Sequence, residues 1–194
     1  MEWALEQTEK VNTITGLPVS LYMQVYSPDV GAIGWTTFVP DFATLEAADD
    51  KLNADDAFIS AVEKGAALTV GGADDTLAQV IHGEPDPNRS IEYVTVVRAV
   101  SATGNVARGL EVGVELAQRA EKITGTPTLF LADVTGTYGG VSWATAHENV
   151  QALEMAQQAL ANDPSWVQHV DRETAGVYAD EPSLTTQIIY RRLA

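Results

Sequence analysis

The chain contains no cysteine, few basic residues and no long apolar run. Without cysteine there is no disulfide, no thiolate nucleophile and no cysteine-ligated zinc or iron–sulfur cluster. No apolar run approaches the ~20 residues that a membrane span requires. The segment MEWALEQTEK at the start lacks the basic residues and apolar centre of a signal peptide. These absences predict a soluble protein of the cytoplasm.

Positive charge is scarce. Lysine and arginine number 11 against 27 aspartate and glutamate, which gives a formal net charge of −16 over 194 residues. A field of that sign repels phosphate backbones and anionic lipids, so we expect neither a nucleic-acid partner nor a membrane partner. The 45% hydrophobic content is that of an ordinary globular protein with a core of its own.

Catalytic signatures are also missing. The glycine-bearing turns GNVARG, GGADD and TGTYGG are neither a P-loop nor a dinucleotide fingerprint, and no Gly-x-Ser-x-Gly or His-Glu-x-x-His occurs. The three histidines do not have the spacing of a metal site, so no metal is predicted. Whether the protein is an enzyme stays open at this level.

One phrase occurs twice. Ile-Thr-Gly-x-Pro, followed by strand-forming residues, stands at 14–18 and again at 123–127. The offset is 109 residues there and 108 further along, where similar residues continue to align. The aligned pairs include Gly31 with Gly139, Trp35 with Trp143, Leu45 with Leu153, Asp55 with Asp163, Phe58 with Trp166, Gln79 with Gln187 and Ile81 with Ile189. An ordered series with a single slip indicates an internal duplication.

Each repeat has the same order of predicted elements. A first helix ends at Gly16 or Gly125, placed for a left-handed cap, and Pro18 or Pro127 prevents its continuation. Hydrophobic spacing and β-branched runs predict the rest. The predicted helices cover 2–12, 41–63, 105–122 and 148–162, and the predicted strands cover 19–26, 32–39, 67–70, 76–82, 91–100, 128–135, 140–147, 176–179 and 185–192.

The order from residue 91 onward is therefore β-α-β-β-α-β, the ferredoxin-like plan. We predict an α+β fold of two tandem ferredoxin-like units, with the first repeat at 1–84, a linker at 85–90 and the second repeat at 91–194. The first repeat lacks an opening strand. Three explanations are open: the opening strand belongs to an upstream segment, a strand from elsewhere takes its place, or the two halves pack together with an incomplete sheet.

The second repeat carries a recurrent pattern, which the first repeat keeps in a reduced form. Its residues are Trp143, His147, Asn149, Leu153, Leu160, Asp163, Pro164 and Trp166, against Trp35, Asp41, Leu45, Leu52, Asp55 and Phe58. The pattern resembles the dimeric α/β-barrel superfamily and is similar to its NIPSNAP-like and antibiotic-monooxygenase-like branches. The resemblance implies a pseudo-dimeric α/β barrel with a pocket between sheet and helices. That superfamily includes cofactor-free oxygenases, haem-degrading enzymes and proteins of no known activity, so it selects no reaction.

Candidate site residues cluster in the second repeat. Trp143 and His147 lie on one face of a predicted strand, since alternate residues point together. His147 is the candidate catalytic residue, with a polar helix cap as its structural alternative. Tyr138, Trp166 and Trp35 are candidate ligand-binding aromatics, although a tryptophan repeated at equivalent positions also suits a core.

Two further residues suit either a ligand or a structural role. His169 is a candidate haem ligand, or a solvated group placed favourably at a helix C-terminus. Arg98 lies within an apolar strand, where an unpaired buried guanidinium would be costly. It therefore contacts an anionic ligand, or water, or forms a structural ion pair with Asp133.

Three functions remain open. The first is binding of a small apolar or aromatic molecule, including cofactor-independent monooxygenase-like chemistry with no cofactor. The second is haem binding through His169 or His147. The third is a non-enzymatic scaffold or interaction protein. The expected partner is a small-molecule ligand, and the chain is expected to be either a pseudo-dimeric monomer or a homo-oligomer.

Overall fold

The structure is a computed structural model, and it describes residues 1–27, 29–70, 73–86 and 88–194. Pro28, Gly71, Gly72 and Pro87, which belong to predicted turns and to the predicted linker, lie outside the described residues. The chain divides into two compact units. Unit 1 is Met1–Met23, Gly31–Asp74 and Arg192–Ala194, and unit 2 is Gln24–Val30 and Asp75–Arg191. The repeat boundaries at 84 and 91 stay a prediction, because they concern sequence correspondence rather than packing.

Unit 1 combines three helices with a short antiparallel strand pair. Its elements are α1 (Glu2–Thr15), β1 (Ser20–Val25), β2 (Ile33–Thr36), α2 (Phe42–Asn53) and α3 (Asp56–Gly65). Of β1, the residues up to Met23 belong to unit 1. Leu21 of β1 lies opposite Trp35 of β2. The backbone N–H of Leu21 also donates to Ala194 O at 2.9 Å, and the backbone carbonyl of Leu21 accepts from Leu193 N at 2.8 Å. α1 packs against both α2 and α3.

Unit 2 holds the larger sheet. Its elements are β3 (Ala78–His82), β4 (Tyr93–Val100), α4 (Val106–Thr124), β5 (Thr128–Asp133), β6 (Gly140–His147), α5 (Val150–Asn162), α6 (Pro164–Thr174), a 3₁₀ turn (Pro182–Leu184) and β7 (Thr186–Arg192). Of β7, the residues up to Arg191 belong to unit 2. The strand order is β7-β4-β6-β5-β3, and each of these strands runs antiparallel to its neighbour. The opening strand β4 therefore lies between β6 and β7, which is the ferredoxin-like arrangement predicted from residue 91 onward.

The duplication is visible in local hydrogen bonds. Near the end of α1, Asn12 Oδ1 accepts from Val19 N at 2.8 Å. At the corresponding place in α4, Glu121 Oε1 accepts from Thr128 N at 2.9 Å. Gly16 and Gly125, which follow the two helices, have φ angles of 77° and 69°. The left-handed caps predicted for these glycines are confirmed.

The prediction of one long helix at 41–63 is wrong, because this segment forms α2 and α3. The helix predicted at 148–162 is confirmed as α5, and a further helix that was not predicted, α6, follows it. Asp55 Oδ1 accepts from Phe58 N, and Asp163 Oδ1 accepts from Ser165 N, both at 2.8 Å. Aspartate is a strong N-cap, so each of these residues begins a new helix.

Two predicted strands are also wrong. Residues 67–70 form turns and a bend, because Leu68 N donates back to Gly65 O at 2.8 Å as α3 ends. Residues 176–179 form only an isolated bridge, between Tyr178 and Ser101. In both cases the β-forming residues follow directly on a helix and are too few for a full strand pairing.

The core of unit 2 lies where α4 packs on the sheet. Phe130, Val112 and Ala117 are completely buried there. Gly113 of α4 faces the ring of Phe130, which occupies the space that a Cβ atom would need. The helix thus approaches the sheet closely at this point. None of the helices in the described ranges combines the length and apolar character needed to cross a membrane.

Candidate functional site

The candidate site lies on the helix-facing side of the unit 2 sheet. Trp143, Thr145 and His147 alternate along β6 and therefore share one face. α4 packs against β5 and β6, and α5 packs against β4 and β6. This face carries an apolar region around Trp143 and a polar region towards the end of β6.

Trp143 forms the apolar side of the site. Its indole Nε1 donates to Gly113 O in α4 at 2.8 Å. Its ring lies 5.1 Å from the ring of Phe130 and 5.6 Å from that of Tyr178, measured between centroids. Tyr178 in turn donates from its hydroxyl to Gly109 O at 2.6 Å. Trp143 is half-buried, so part of its surface is open to a ligand while its nitrogen is held by the protein.

Three threonines form a row across neighbouring strands, directly beside Trp143. Thr145 lies opposite Thr95 of β4 on one side and opposite Thr128 of β5 on the other. The hydroxyl oxygens of Thr128 and Thr145 are 2.9 Å apart. Thr95 and Thr128 are buried. This threonine row (Thr95, Thr145 and Thr128) brings several hydroxyl groups into an interior that is otherwise apolar.

His147 completes the polar region. Its side chain is 2% exposed. Its Nε2 lies 3.3 Å from Thr95 Oγ1, whereas its Nδ1 has no hydrogen-bond partner in the described part of the chain. The backbone of His147 accepts from Glu92 N at 3.0 Å, which anchors the end of β6 to the start of β4. An unpaired buried ring nitrogen leaves a hydrogen-bonding capacity that a ligand can satisfy.

The environment keeps His147 neutral. Burial, and to a smaller extent the positive charge of Arg89, lowers the pKa of the imidazole to about 4. The charged form is disfavoured because it would lose its hydration and lie near a guanidinium. At neutral pH the imidazole therefore has one donor and one acceptor nitrogen. Such a group can accept a proton from an acidic ligand or hydrogen-bond to it.

The structure does not bring Tyr138 to this region. Tyr138 lies in the turn before β6 and is 89% exposed. His147 lies at the opposite end of β6, and at ~3.3 Å per residue the two ends of that strand are roughly 23 Å apart. Tyr138 and His147 therefore cannot contact the same small ligand in this conformation.

The two predicted residues of α6 differ from each other. Trp166 is partly buried and packs against the core of unit 2. His169 is half-buried, and its Nδ1 accepts from Arg172 Nη2 at 3.1 Å. Because Trp166 and His169 are three positions apart on one helix, they lie next to each other on its surface.

Arg98 is exposed and lies opposite Ser142 of β6 and Thr186 of β7. It is close enough to Asp133 to act on it electrostatically. Burial raises the pKa of the Asp133 carboxyl, and the charge of Arg98 partly opposes that shift. Arg98 and Asp133 therefore interact at longer range than a direct ion pair.

Trp35 belongs to unit 1. It is 40% exposed, its Nε1 donates to Thr8 Oγ1 at 2.8 Å, and its ring meets that of Trp3 edge to face with centroids 6.1 Å apart. Unit 1 also has two open clefts, of about 500 Å³ along α1 and about 390 Å³ beside α2. Neither cleft is lined by any of the predicted site residues.

Sequence reasoning did not select the threonine row. Threonine is common in strands, and nothing in the local sequence distinguishes Thr95, Thr128 or Thr145 from other strand residues. Their placement depends on the pairing register of three strands that are far apart in the chain. The weak signal that was present is polarity on the inward face of an apolar strand, which Thr95 shows between Tyr93 and Val97.

Comparisons of sequence identify no relative. No protein-family model matches the chain, and no match is found among curated proteins. Comparison of structure does find similar folds. A protein from Fusobacterium nucleatum inferred to be a monooxygenase superposes with a TM-score of 0.65 and 8% identity, over 100% of this chain and 84% of that one.

Two further solved structures show the same likeness. An anthrone oxidase-like protein gives a TM-score of 0.62 with 14% identity, over 100% of this chain and 84% of the other. A major regulator of staphylococcal pathogenesis gives 0.54 with 9% identity, over 98% of this chain and 93% of the other. At these identities the likeness concerns the fold alone. The chain therefore shares the α+β fold of these solved structures, and the predicted fold class is confirmed.

Proposed function

We propose that this protein binds a small electron-rich aromatic molecule on the helix-facing side of unit 2 and oxidises it with dioxygen, without a metal or an organic cofactor. One observation carries the proposal: His147 is a buried imidazole with one ring nitrogen beside Thr95 and the other without a partner. The fold, which this chain shares with proteins inferred to be monooxygenases, is consistent with this chemistry but does not select it.

The properties of His147 restrict the substrate. With a pKa of about 4, the imidazole is available to accept a proton over the whole neutral range, but it is a weak base. A weak base suits a substrate whose proton is already acidic, such as a phenol or a methylene group between aromatic rings and near a carbonyl. The anthrone class, which appears in the name of one structural neighbour, has such a methylene group.

The proposed reaction balances without a further reductant. A methylene group and one molecule of dioxygen give a carbonyl group and one molecule of water. The carbon loses four electrons and dioxygen gains four. One oxygen atom remains on the carbon, and the two hydrogens leave with the other. The protein's part is to remove the first proton, orient the substrate and exclude bulk water.

Each group of the site has a proposed role. His147 Nδ1 accepts the substrate proton in the tautomer that carries its hydrogen on Nε2. Thr95 is a positioning residue, because it accepts from Nε2 and so stabilises that tautomer. The half-buried face of Trp143 contacts the flat ring of the substrate, and Thr145 offers a hydroxyl to a substrate oxygen.

The test is oxygen uptake with anthrone as the probe, together with incorporation of ¹⁸O from labelled dioxygen into the product. We expect ketone formation by the unaltered protein and a loss of about 10²–10⁴-fold in rate for His147→Phe. The matched control is His169→Gln, which removes a half-buried histidine of α6 that does not belong to the proposed site. Equal rates for a folded His147→Phe variant and the unaltered protein would contradict the assignment.

The role of Thr95 needs its own pair of variants. Thr95→Val keeps the size of the side chain but removes the hydroxyl, whereas Thr95→Ser keeps the hydroxyl. We expect Thr95→Val to lower kcat with little change in KM, and Thr95→Ser to retain most of the activity. Equal losses in both variants would show that packing, and not the hydroxyl, is what matters at this position.

Mass spectrometry under native conditions distinguishes binding from a purely structural role. Extra mass that disappears on denaturation would show a retained ligand. A folded protein that retains nothing, binds no aromatic probe and consumes no oxygen would favour a scaffold or interaction role. A shifted Soret band after addition of hemin would instead favour haem binding and would overturn the cofactor-free proposal.

A further inference from the structure

The strand β3 has one free edge. It is the last strand in the order β7-β4-β6-β5-β3 and pairs with β5 on one side. Among the residues that the structure describes, no strand pairs with its other side. A free strand edge presents unpaired backbone donors and acceptors, which is a template for another strand.

The direction of the backbone groups identifies the free donors. Leu77 N donates to Thr135 Oγ1 at 2.8 Å, and Leu77 O accepts from Val134 N at 2.7 Å. Both backbone groups of Leu77 therefore point towards β5. Because alternate residues of an antiparallel strand point in opposite directions, Ala78 and Val80 direct their N–H groups to the free edge.

The internal repeat shows what occupies the equivalent edge. β3 corresponds to β7 at an offset of 108 residues, with Val80 aligned to Ile188. Ile189 N donates to Ser27 Oγ at 3.2 Å, away from β4, so the N–H of Ile188 points towards β4. Ile188 lies opposite Val96 of that strand. The edge that is free at β3 is thus filled at β7 by β4, the opening strand of the second repeat.

The free edge is short and has a bulge between Val80 and His82, but it lacks the charges that most directly oppose strand addition. The five residues of β3, AQVIH, include no lysine, arginine, aspartate or glutamate, and Ile81 is 37% exposed. Edge strands that avoid pairing typically carry charges or proline. β3 is therefore suited to backbone pairing and to contact with apolar side chains.

The charges beside β3 indicate the chemistry of the occupant. Asp75 precedes the strand by three residues, and the exposed Glu84 and Asp86 follow it closely. In the second repeat, β4 places Arg98 opposite Thr186, which aligns with Ala78. An occupant with the polarity of β4 would place a basic residue near Asp75.

We infer that the free edge of β3 binds an extended peptide strand, antiparallel to β3, with alternating apolar side chains and basic residues at its ends. This is strand addition, in which backbone hydrogen bonds supply affinity and the flanking charges supply selectivity. The interaction is separate from the proposed oxidation, because His147 lies on β6 and takes no part in the β3 edge.

The probe is a synthetic peptide that carries residues 93–100 of this chain between two lysines at each end. Two control peptides replace Val96 by proline, which cannot donate to a neighbouring strand, or the lysines by glutamates. We expect the first peptide to bind and the proline peptide not to bind. The glutamate peptide should bind about tenfold more weakly, since three acidic residues flank the site.

Amide hydrogen exchange locates the binding. Protection of Ala78 N–H and Val80 N–H should rise at least tenfold in the complex, while the already paired Leu77 N–H should change little. The variant Ala78→Pro, which removes one donor from the free edge, should lose the peptide, whereas Ala78→Val should keep it. Binding without new protection at Ala78 and Val80 would overturn the inference, as would equal binding of the proline peptide.

Sedimentation of the protein without peptide tests whether a second copy of the chain occupies the β3 edge instead. We expect a monomer under conditions where the peptide binds, since a net charge of −16 opposes association of two copies. A dimer that Ala78→Pro dissociates would show that a second copy of the chain occupies the edge, and would overturn the assignment to a basic peptide. Loss of oxygenase activity, or its absence, has no bearing on either result.

Discussion

Trp143 donates its indole hydrogen directly to the carbonyl oxygen of Gly113, at 2.8 Å. The equivalent residues of the first repeat make the same connection through one more group. There Trp35 donates to Thr8 Oγ1 at 2.8 Å, and Thr8 donates to Ala4 O at 2.9 Å. Ala4 aligns with Gly113 at the offset of 109 residues. In both repeats the strand tryptophan is thus tied to the preceding helix.

We expect Trp143→Phe to destabilise the protein by about 1 kcal/mol, because it removes one hydrogen bond while leaving most of the ring contacts. Trp35→Phe is the matched variant and should cost less, since Thr8 keeps its bond to Ala4 O and Trp35 is partly exposed. Urea unfolding measures both. A larger effect for Trp35→Phe would mean that the hydrogen bond of Trp143 contributes little.

Gly113→Ala should destabilise the protein by about 1–3 kcal/mol, because the added Cβ would collide with the ring of Phe130. The sign of this change in the free energy of unfolding is informative, because alanine in a helix is otherwise more favourable than glycine by about 1 kcal/mol. The free energy of unfolding should recover in part when Phe130→Leu is added. A stabilising effect of Gly113→Ala would show that α4 moves away from the sheet at little cost.

His147 predicts a dependence of stability on pH. Its pKa is 6.5 in the unfolded chain and about 4 in the folded protein. Between these values the unfolded state binds more protons, so the free energy of unfolding falls as pH falls from 6.5 to 4. The slope from this residue is at most about 1.4 kcal/mol per pH unit.

Above pH 6.5 the histidine contributes no pH dependence. The measurement is urea unfolding from pH 4 to pH 8 for the unaltered protein and for His147→Gln, with His169→Gln as the control. The free energy of unfolding of the unaltered protein, minus that of His147→Gln, should decrease towards low pH. Parallel curves over this range would show that the imidazole has the same pKa in the folded and the unfolded protein, which would contradict the expected shift.

Asp163 should stabilise the protein as the N-cap of α6. Its Oδ1 accepts from Ser165 N and from Ser165 Oγ, which holds the pKa of the carboxyl below its usual value. Asp163→Ala should therefore lower the free energy of unfolding, whereas Asp163→Asn, which keeps a capping oxygen, should lower it much less. Equal losses in the two variants would indicate that the cap does not depend on the side-chain oxygen.

The local sequence predicts most elements correctly for identifiable reasons. Gly16 with Pro18, and Gly125 with Pro127, combine a left-handed residue with one that cannot continue a helix, so the ends of α1 and α4 follow from chain chemistry alone. The strand β6 is also predicted with its observed bounds, 140–147. By contrast, apolar spacing continues through Asp55 and conceals the N-cap of α3, and the predicted helix ends before Asp163, so that α6 is not predicted.

By itself, the sequence determined the duplication, the ends of α1 and α4 and the face that Trp143 shares with His147, because each can be read from residue patterns without knowledge of which strands pair. Only the tertiary structure decided that Thr95 meets His147 and that Thr145 lies between Thr95 and Thr128. Those contacts depend on strand register, which a shift of one residue would reverse. Tertiary structure likewise left β3 with a free edge, since that depends on which strands become neighbours.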